Sequence, residues 1–177
     1  MDAVKNFYFK NLKKEEIDKE VFTQISLLLN KGQYNTAEKK VKELTYKYPD
    51  NLKYQNFLAI IYVSQKKFKD SIIILKKIIN KSPRYIDAHI NLGNVYIDSN
   101  QLKKSAECFK KVIEIQPDHL LAFQNLATTY DKQNKFKEAS EIYSKLIVKD
   151  SDNLEFLNSY SANQIKIGNL GKAKKIL

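Results

Sequence analysis

The sequence predicts an all-α protein assembled from antiparallel helix pairs that recur at a fixed period. Three observations carry this. Pro49, Pro83 and Pro117 stand 34 residues apart. The stretch DAHINLGNVY, 87–96, returns 34 residues later as LAFQNLATTY, 121–130. Within each period the apolar residues fall at helical spacing in two separate segments, which is the pattern of two amphipathic helices.

Taking the period as the ruler gives units 18–51, 52–85, 86–119 and 120–153, and an incomplete unit 154–177, with an N-terminal segment 1–17 ahead of them. Corresponding positions then agree. Position 8 holds Ile25, Ala59, Gly93, Ala127 and Ser161, and position 20 holds Ala37, Ser71, Ser105, Ala139 and Ala173. Small residues at both let two helices pack closely. Position 24 holds Val41, Leu75, Phe109, Tyr143 and Leu177, larger side chains that fill the space beside them. Position 11 holds Leu28, Tyr62, Tyr96, Tyr130 and Gln164.

Unit 2 illustrates the elements. Leu58, Ile61 and Tyr62 share one side of its first helix, and Ile72, Leu75, Ile78 and Ile79 share one side of its second. The β-branched run Ile72 to Ile74 reads as a strand in isolation, but its place in the period assigns it to a helix. The links GQYN, QKKF, NQLK and NKFK are short and polar, as antiparallel neighbours require. A proline just past the second helix stops it and turns the chain into the next unit. In the fourth unit Ser151, in KDSDN, stands where the proline would be.

These residues resemble the tetratricopeptide repeat, whose 34-residue helix–turn–helix carries small, Tyr, Ala, aromatic and Pro positions in this order. The resemblance spans about 18–177. Units 2, 3 and 4 match best, and unit 1 departs at Ile25. No Trp stands at position 4, where Val21, Gln55, His89, Phe123 and Leu157 are found. DAHINLGNVY is similar to the repeats of O-linked N-acetylglucosamine transferases. The resemblance implies a right-handed superhelical solenoid, with first helices lining a concave groove and second helices forming the back.

Candidate binding residues follow from that groove. They are Asn56, Asn91, Asn94, Gln124, Asn125, Thr128 and Asn158. Asn91 and Asn125 share position 6, and an amide offers both donors and an acceptor to the backbone of an extended peptide. The expected function is protein–protein interaction, as an adaptor or scaffold holding an extended peptide or a partner helix. Two alternatives stand beside it. One is the substrate-recruiting arm of a larger glycosyltransferase or sulfotransferase. The other is contact with nucleic acid or an acidic partner through a basic patch of Lys66, Lys67, Lys69, Lys76 and Lys77. The family's clamp for chaperone C-termini needs converging Lys, Asn and Arg. Units 1 to 3 supply Phe22, Ser26, Phe57, Asp87 and Asn91 instead, so that mode is not expected.

The net charge of +11 rests on 31 basic residues, of which only Arg84 is an arginine. Arginine is the residue suited to bidentate phosphate and base contacts, so nucleic acid ranks last among the expected partners. No apolar run approaches the ~18 residues of a membrane span, and no signal-peptide pattern opens the chain. A cytoplasmic location is therefore expected. Cys108 is the single cysteine, which leaves no internal disulfide. It is read as a small packing residue, and His89 likewise. His119 stands beside a turn. No metal, cofactor or catalytic constellation is expected. Residues 1–17 read as a cap over the first repeat or as a flexible arm. Unit 5 stops within its second helix, leaving Ile165, Ile167, Ala173 and Leu177 poorly covered. That implies a longer native chain, or self-association through the incomplete repeat.

Overall fold

The computed structural model describes residues 19–176. The chain divides between Asp70 and Ser71, within a helix, into two compact units. The first contains α1, helical over 19–30, then α2 (Tyr34–Lys47) and α3 (Leu52–Ser64). α4 (Phe68–Lys81) spans the division. The second unit continues with α5 (Ile86–Asp98), α6 (Leu102–Ile115), α7 (Leu120–Lys132), α8 (Phe136–Lys149), α9 (Leu154–Ile167) and α10 (Leu170–Ile176). No strand occurs among the described residues. The 1–17 segment and Leu177 lie outside them.

Every helix falls where the period puts it. The run Ile72 to Ile74 is helical, with Leu75 and Ile78 wholly buried and Ile73 on the outside. The exchange of small and large residues works as the columns imply. A Cβ added at Gly93 would stand 2.6 Å from Cζ of Phe109, whose ring is fully buried against α5. In the next repeat Ala127 and Ala139 surround Tyr143, and Leu146, Phe156 and Tyr160 complete that cluster. Fully burying each such aromatic contributes about 1.5–3 kcal/mol.

One conformational rule runs through all five repeats. Gly32, Lys66, Asn100, Asn134 and Gly168, each at position 15, have positive φ, between 56° and 90°. Each ends a first helix in a Schellman turn. In the second repeat Lys66 N donates to Val63 O at 2.8 Å and Lys67 N to Tyr62 O at 2.8 Å. In the fifth, Gly168 N donates to Ile165 O at 3.0 Å and Asn169 N to Gln164 O at 2.9 Å. Glycine and asparagine adopt this left-handed backbone readily, whereas lysine does so at a cost.

Three first helices, α3, α7 and α9, are capped by a side chain at the last position of the preceding repeat. Asn51 Oδ1 accepts from Lys53 N at 3.0 Å, and Asn153 Oδ1 accepts from Glu155 N and Phe156 N at 3.1 and 3.3 Å. His119 Nδ1 accepts from Ala122 N at 3.2 Å, so this histidine is a helix cap. Lysines pack their ammonium groups over the tyrosines of position 11. Lys67 lies 5.4 Å from the Tyr62 centroid, Lys104 5.6 Å from Tyr96, and Lys135 5.5 Å from Tyr130. These three lysines thus have a structural use.

Candidate binding face on the first helices

Within the second unit the first helices are α5, α7 and α9, and successive repeats join through side chains 31 residues apart. Asn125 Nδ2 on α7 donates to Asn94 Oδ1 on α5 at 3.5 Å. Gln124 Nε2 donates to Glu155 Oε1 on α9. The offset of three residues from the period is about one helical turn, so position 6 of α7 meets position 9 of α5, and position 2 of α9 meets position 5 of α7. The amide that Asn125 donates to is thus one turn along α5 from Asn91, its column mate. Asn125 meets Asn94.

The structure distributes the predicted residues unevenly. Asn94 and Asn158 are exposed, and Gln124, Asn125 and Thr128 are half-buried. Thr128 Oγ1 lies 3.5 Å from the Tyr143 hydroxyl. Asn91 is half-buried and Asn56 is buried, with 6% of its surface exposed; both are engaged by other groups of the protein. Asn56, at position 5 of α3, faces inward and offers no surface to a ligand. The basic residues Lys66, Lys67, Lys69, Lys76 and Lys77 are all exposed. The first three belong to the first unit and the last two to the second.

A polar network that sequence reasoning missed ties α9 to α7. Asn163 Nδ2 donates to Asp131 Oδ1 at 2.7 Å and to Phe136 O at 3.1 Å. Lys166 Nζ sits 3.2 Å from Asp131 Oδ2. Gln164 Nε2 donates to Ser140 Oγ at 2.7 Å and its Oε1 accepts from Asn169 Nδ2 at 3.1 Å. Asn163 and Gln164 are buried. The signal was the break in position 11, where Gln164 replaces Tyr.

Residues 86–119 match the family model of the tetratricopeptide repeat, and residues 108–139 match a second model of that description. The repeat is a tetratricopeptide repeat. Solved structures agree on the fold. A MamA crystal structure superposes with a TM-score of 0.74 at 20% identity, covering 86% of this chain and 89% of that one. MamA from Desulfovibrio magneticus RS-1 gives 0.75 at 15% identity, covering 89% of each. A tetratricopeptide repeat protein from Parabacteroides merdae gives 0.75 at 17% identity, covering 89% of this chain and 63% of that one. No curated protein matches the chain in sequence. Tetratricopeptide folds serve in general as protein-interaction scaffolds.

Other features of these tetratricopeptide repeats narrow the chemistry. Phe22 and Phe57 pack with ring centroids 5.4 Å apart where a carboxylate clamp would place polar groups. His89 is buried and its Nε2 lies 2.9 Å from Pro83 O, which fixes it as a packing residue with one tethered nitrogen. Burial pushes the Cys108 thiol up to about 12, with help from the Glu107 charge. A thiol so protonated at neutral pH is a poor nucleophile. No helix among the described residues is long and apolar enough to cross a membrane.

The last repeat needs one correction. Ala173 is buried, at 4% exposure, and its carbonyl accepts from Ser161 Oγ at 3.3 Å. Short as it is, α10 covers α9 at that point, because positions 8 and 20 are both small. Ile165 and Leu170 remain 53% and 61% exposed.

Proposed function

We propose that the chain is a protein-interaction module that holds an extended peptide along α5, α7 and α9. The observation that supports this most is the contact between Asn94 and Asn125, two amides of adjacent repeats meeting on the same face at 3.5 Å. At that length the bond is weak and exchangeable. Each amide can release its neighbour and take a peptide carbonyl or N–H instead. Asn158, Gln124 and Thr128 extend the same row toward α9. Backbone recognition of this kind tolerates varied side chains in the ligand, which suits an adaptor. The fold contributes a preformed surface, so ordering costs fall on the peptide.

The test uses peptides isolated on the full chain from a random display library, with affinities read by fluorescence polarisation. The Asn94→Ala and Asn125→Ala double variant should bind about 30-fold more weakly, from two lost hydrogen bonds of about 1 kcal/mol each. Unchanged affinity for every such peptide would reject this face as the binding surface while leaving the fold intact.

A further inference from the structure

The fourth repeat shows how a first helix seats on the helix pair before it. Phe156 and Tyr160 of α9, at positions 3 and 7, join the cluster built around Tyr143. Asn163, at position 10, donates to Asp131 Oδ1 at 2.7 Å and to Phe136 O at 3.1 Å. Gln164, at position 11, donates to Ser140 Oγ at 2.7 Å, and Lys166, at position 13, lies 3.2 Å from Asp131 Oδ2. The seat therefore consists of positions 12, 17 and 21 of the earlier repeat, and Asp131, Phe136 and Ser140 are all half-buried under α9.

α9 and α10 offer the same seat with different chemistry. Position 12 is Ile165 in place of Asp131, position 17 is Leu170, and position 21 is Lys174 in place of Ser140. Ile165 and Leu170 are 53% and 61% exposed, and Leu154 beside them is 73% exposed. An isoleucine can take neither the amide nor the ammonium that Asp131 takes, and a polar group buried without a partner is penalised. A helix seated here therefore needs apolar side chains at positions 10 and 13. At position 11 it meets the exposed Lys174, where a carboxylate fits.

We propose that this face docks an amphipathic helix of a partner protein, apolar at positions 3, 7, 10 and 13 and acidic at position 11, seated as α9 seats on α7 and α8. The mode is a helix laid against an apolar surface through residues spaced three and four apart. A second copy of this chain does not meet the specification. Set head to tail it offers α1, with Glu20, Gln24 and Asn30 at positions 3, 7 and 13 and Leu28 at position 11. Set tail to tail it brings the exposed Lys172, Lys174 and Lys175 of α10 against their own copies, with no acidic residue on that helix to offset them.

The probe is a peptide with the 14-residue sequence of α9, Leu154–Ile167, carrying Asn163→Leu, Gln164→Glu and Lys166→Leu. A hydrocarbon staple holds it helical, since an isolated helix of this length is marginal in water. Titrated into the full ¹⁵N-labelled chain, it should give saturable shifts gathered on α9 and α10. The unmodified α9 sequence should bind about 10-fold or more weakly, because its amide and ammonium meet Ile165 unpaired. The Ile165→Ala and Leu170→Ala double variant of the chain should also bind the probe about 10-fold or more weakly. Ile73→Ala on α4, where the side chain is equally exposed at 53%, should stay within about 2-fold. Lys174→Glu should weaken the probe, and replacing Gln164→Glu in the probe by Gln164→Lys should restore the affinity. No saturable shift, equal binding of the unmodified sequence, unchanged affinity in the double variant or no restoration by the charge swap overturns the proposal. A concentration-dependent dimer in sedimentation equilibrium, lost in the double variant, assigns the face to a second copy and overturns it equally. None of these results bears on the amide face, since Asn94 and Asn125 take no part.

Discussion

At position 15 the repeats use glycine twice and asparagine twice, but Lys66 holds the same backbone at φ 60°. A left-handed non-glycine residue costs about 1–2 kcal/mol. Lys66→Gly should therefore raise stability by about 1 kcal/mol, measured by urea denaturation, because its exposed side chain loses little. Gly93 is the reverse case. Gly93→Ala drives a methyl into the Phe109 ring, and overpacking of this kind costs about 1–3 kcal/mol. Pairing it with Phe109→Leu should restore part of the loss. Glu38 gives a third test. Lys42 at 2.6 Å, with Gln65 and Lys67 beside it, holds its carboxyl down to about 2 from 4.5. A depressed carboxyl stabilises fully above the unfolded value and loses that contribution as pH falls toward 2. The gap in melting temperature between wild type and Glu38→Gln should thus be open at pH 7 and close between pH 4.5 and 2. A gap independent of pH would mean the carboxylate charge contributes nothing.

At the scale of single elements, the helices were legible because their apolar spacing and their small and large positions agree at every level. Their ends were legible only in part. The polar links announced turns, but the shared left-handed residue was hidden because three residue types carry it. His119 gave a similar lesson, since a histidine accepting through Nδ1 does the work that Asn51 and Asn153 do elsewhere. The cap at α9 is open to test. Asn153 accepts from two backbone amides, and Asn153→Ala should cost about 1 kcal/mol. Hydrogen exchange at Glu155 and Phe156 should quicken, while the amides of α5 keep their protection. Uniform acceleration along the chain would show that α9 has no local opening of its own and unfolds only with the whole.

At the scale of the whole molecule, the period of 34 located every described helix but not the amide contact, because Asn94 and Asn125 are 31 apart, as are Gln124 and Glu155. Sequence columns record equivalence, and contact depends on how neighbouring helices are offset, which only coordinates supply. The same distinction applies to charge. The total of +11 suggests polyanions, yet α5, α7 and α9 carry Asp87, Asp98, Asp131 and Glu155 against Lys132 and Lys166. A complex formed on that face should therefore respond to salt differently from one formed through the exposed lysines. If Lys66, Lys67, Lys69, Lys76 and Lys77 all contacted the phosphates of a single strand, counterion release would give a slope near −3.5, or about a 130-fold loss between 50 and 200 mM salt. Amide bonds to a peptide backbone release no counterions, so peptide affinity should change by less than about 3-fold over that range. Titrations of a display-selected peptide and of a single-stranded oligonucleotide across this range decide which surface is used. A steep slope for the peptide itself would move binding off the amides of α5 and α7 and onto the lysines.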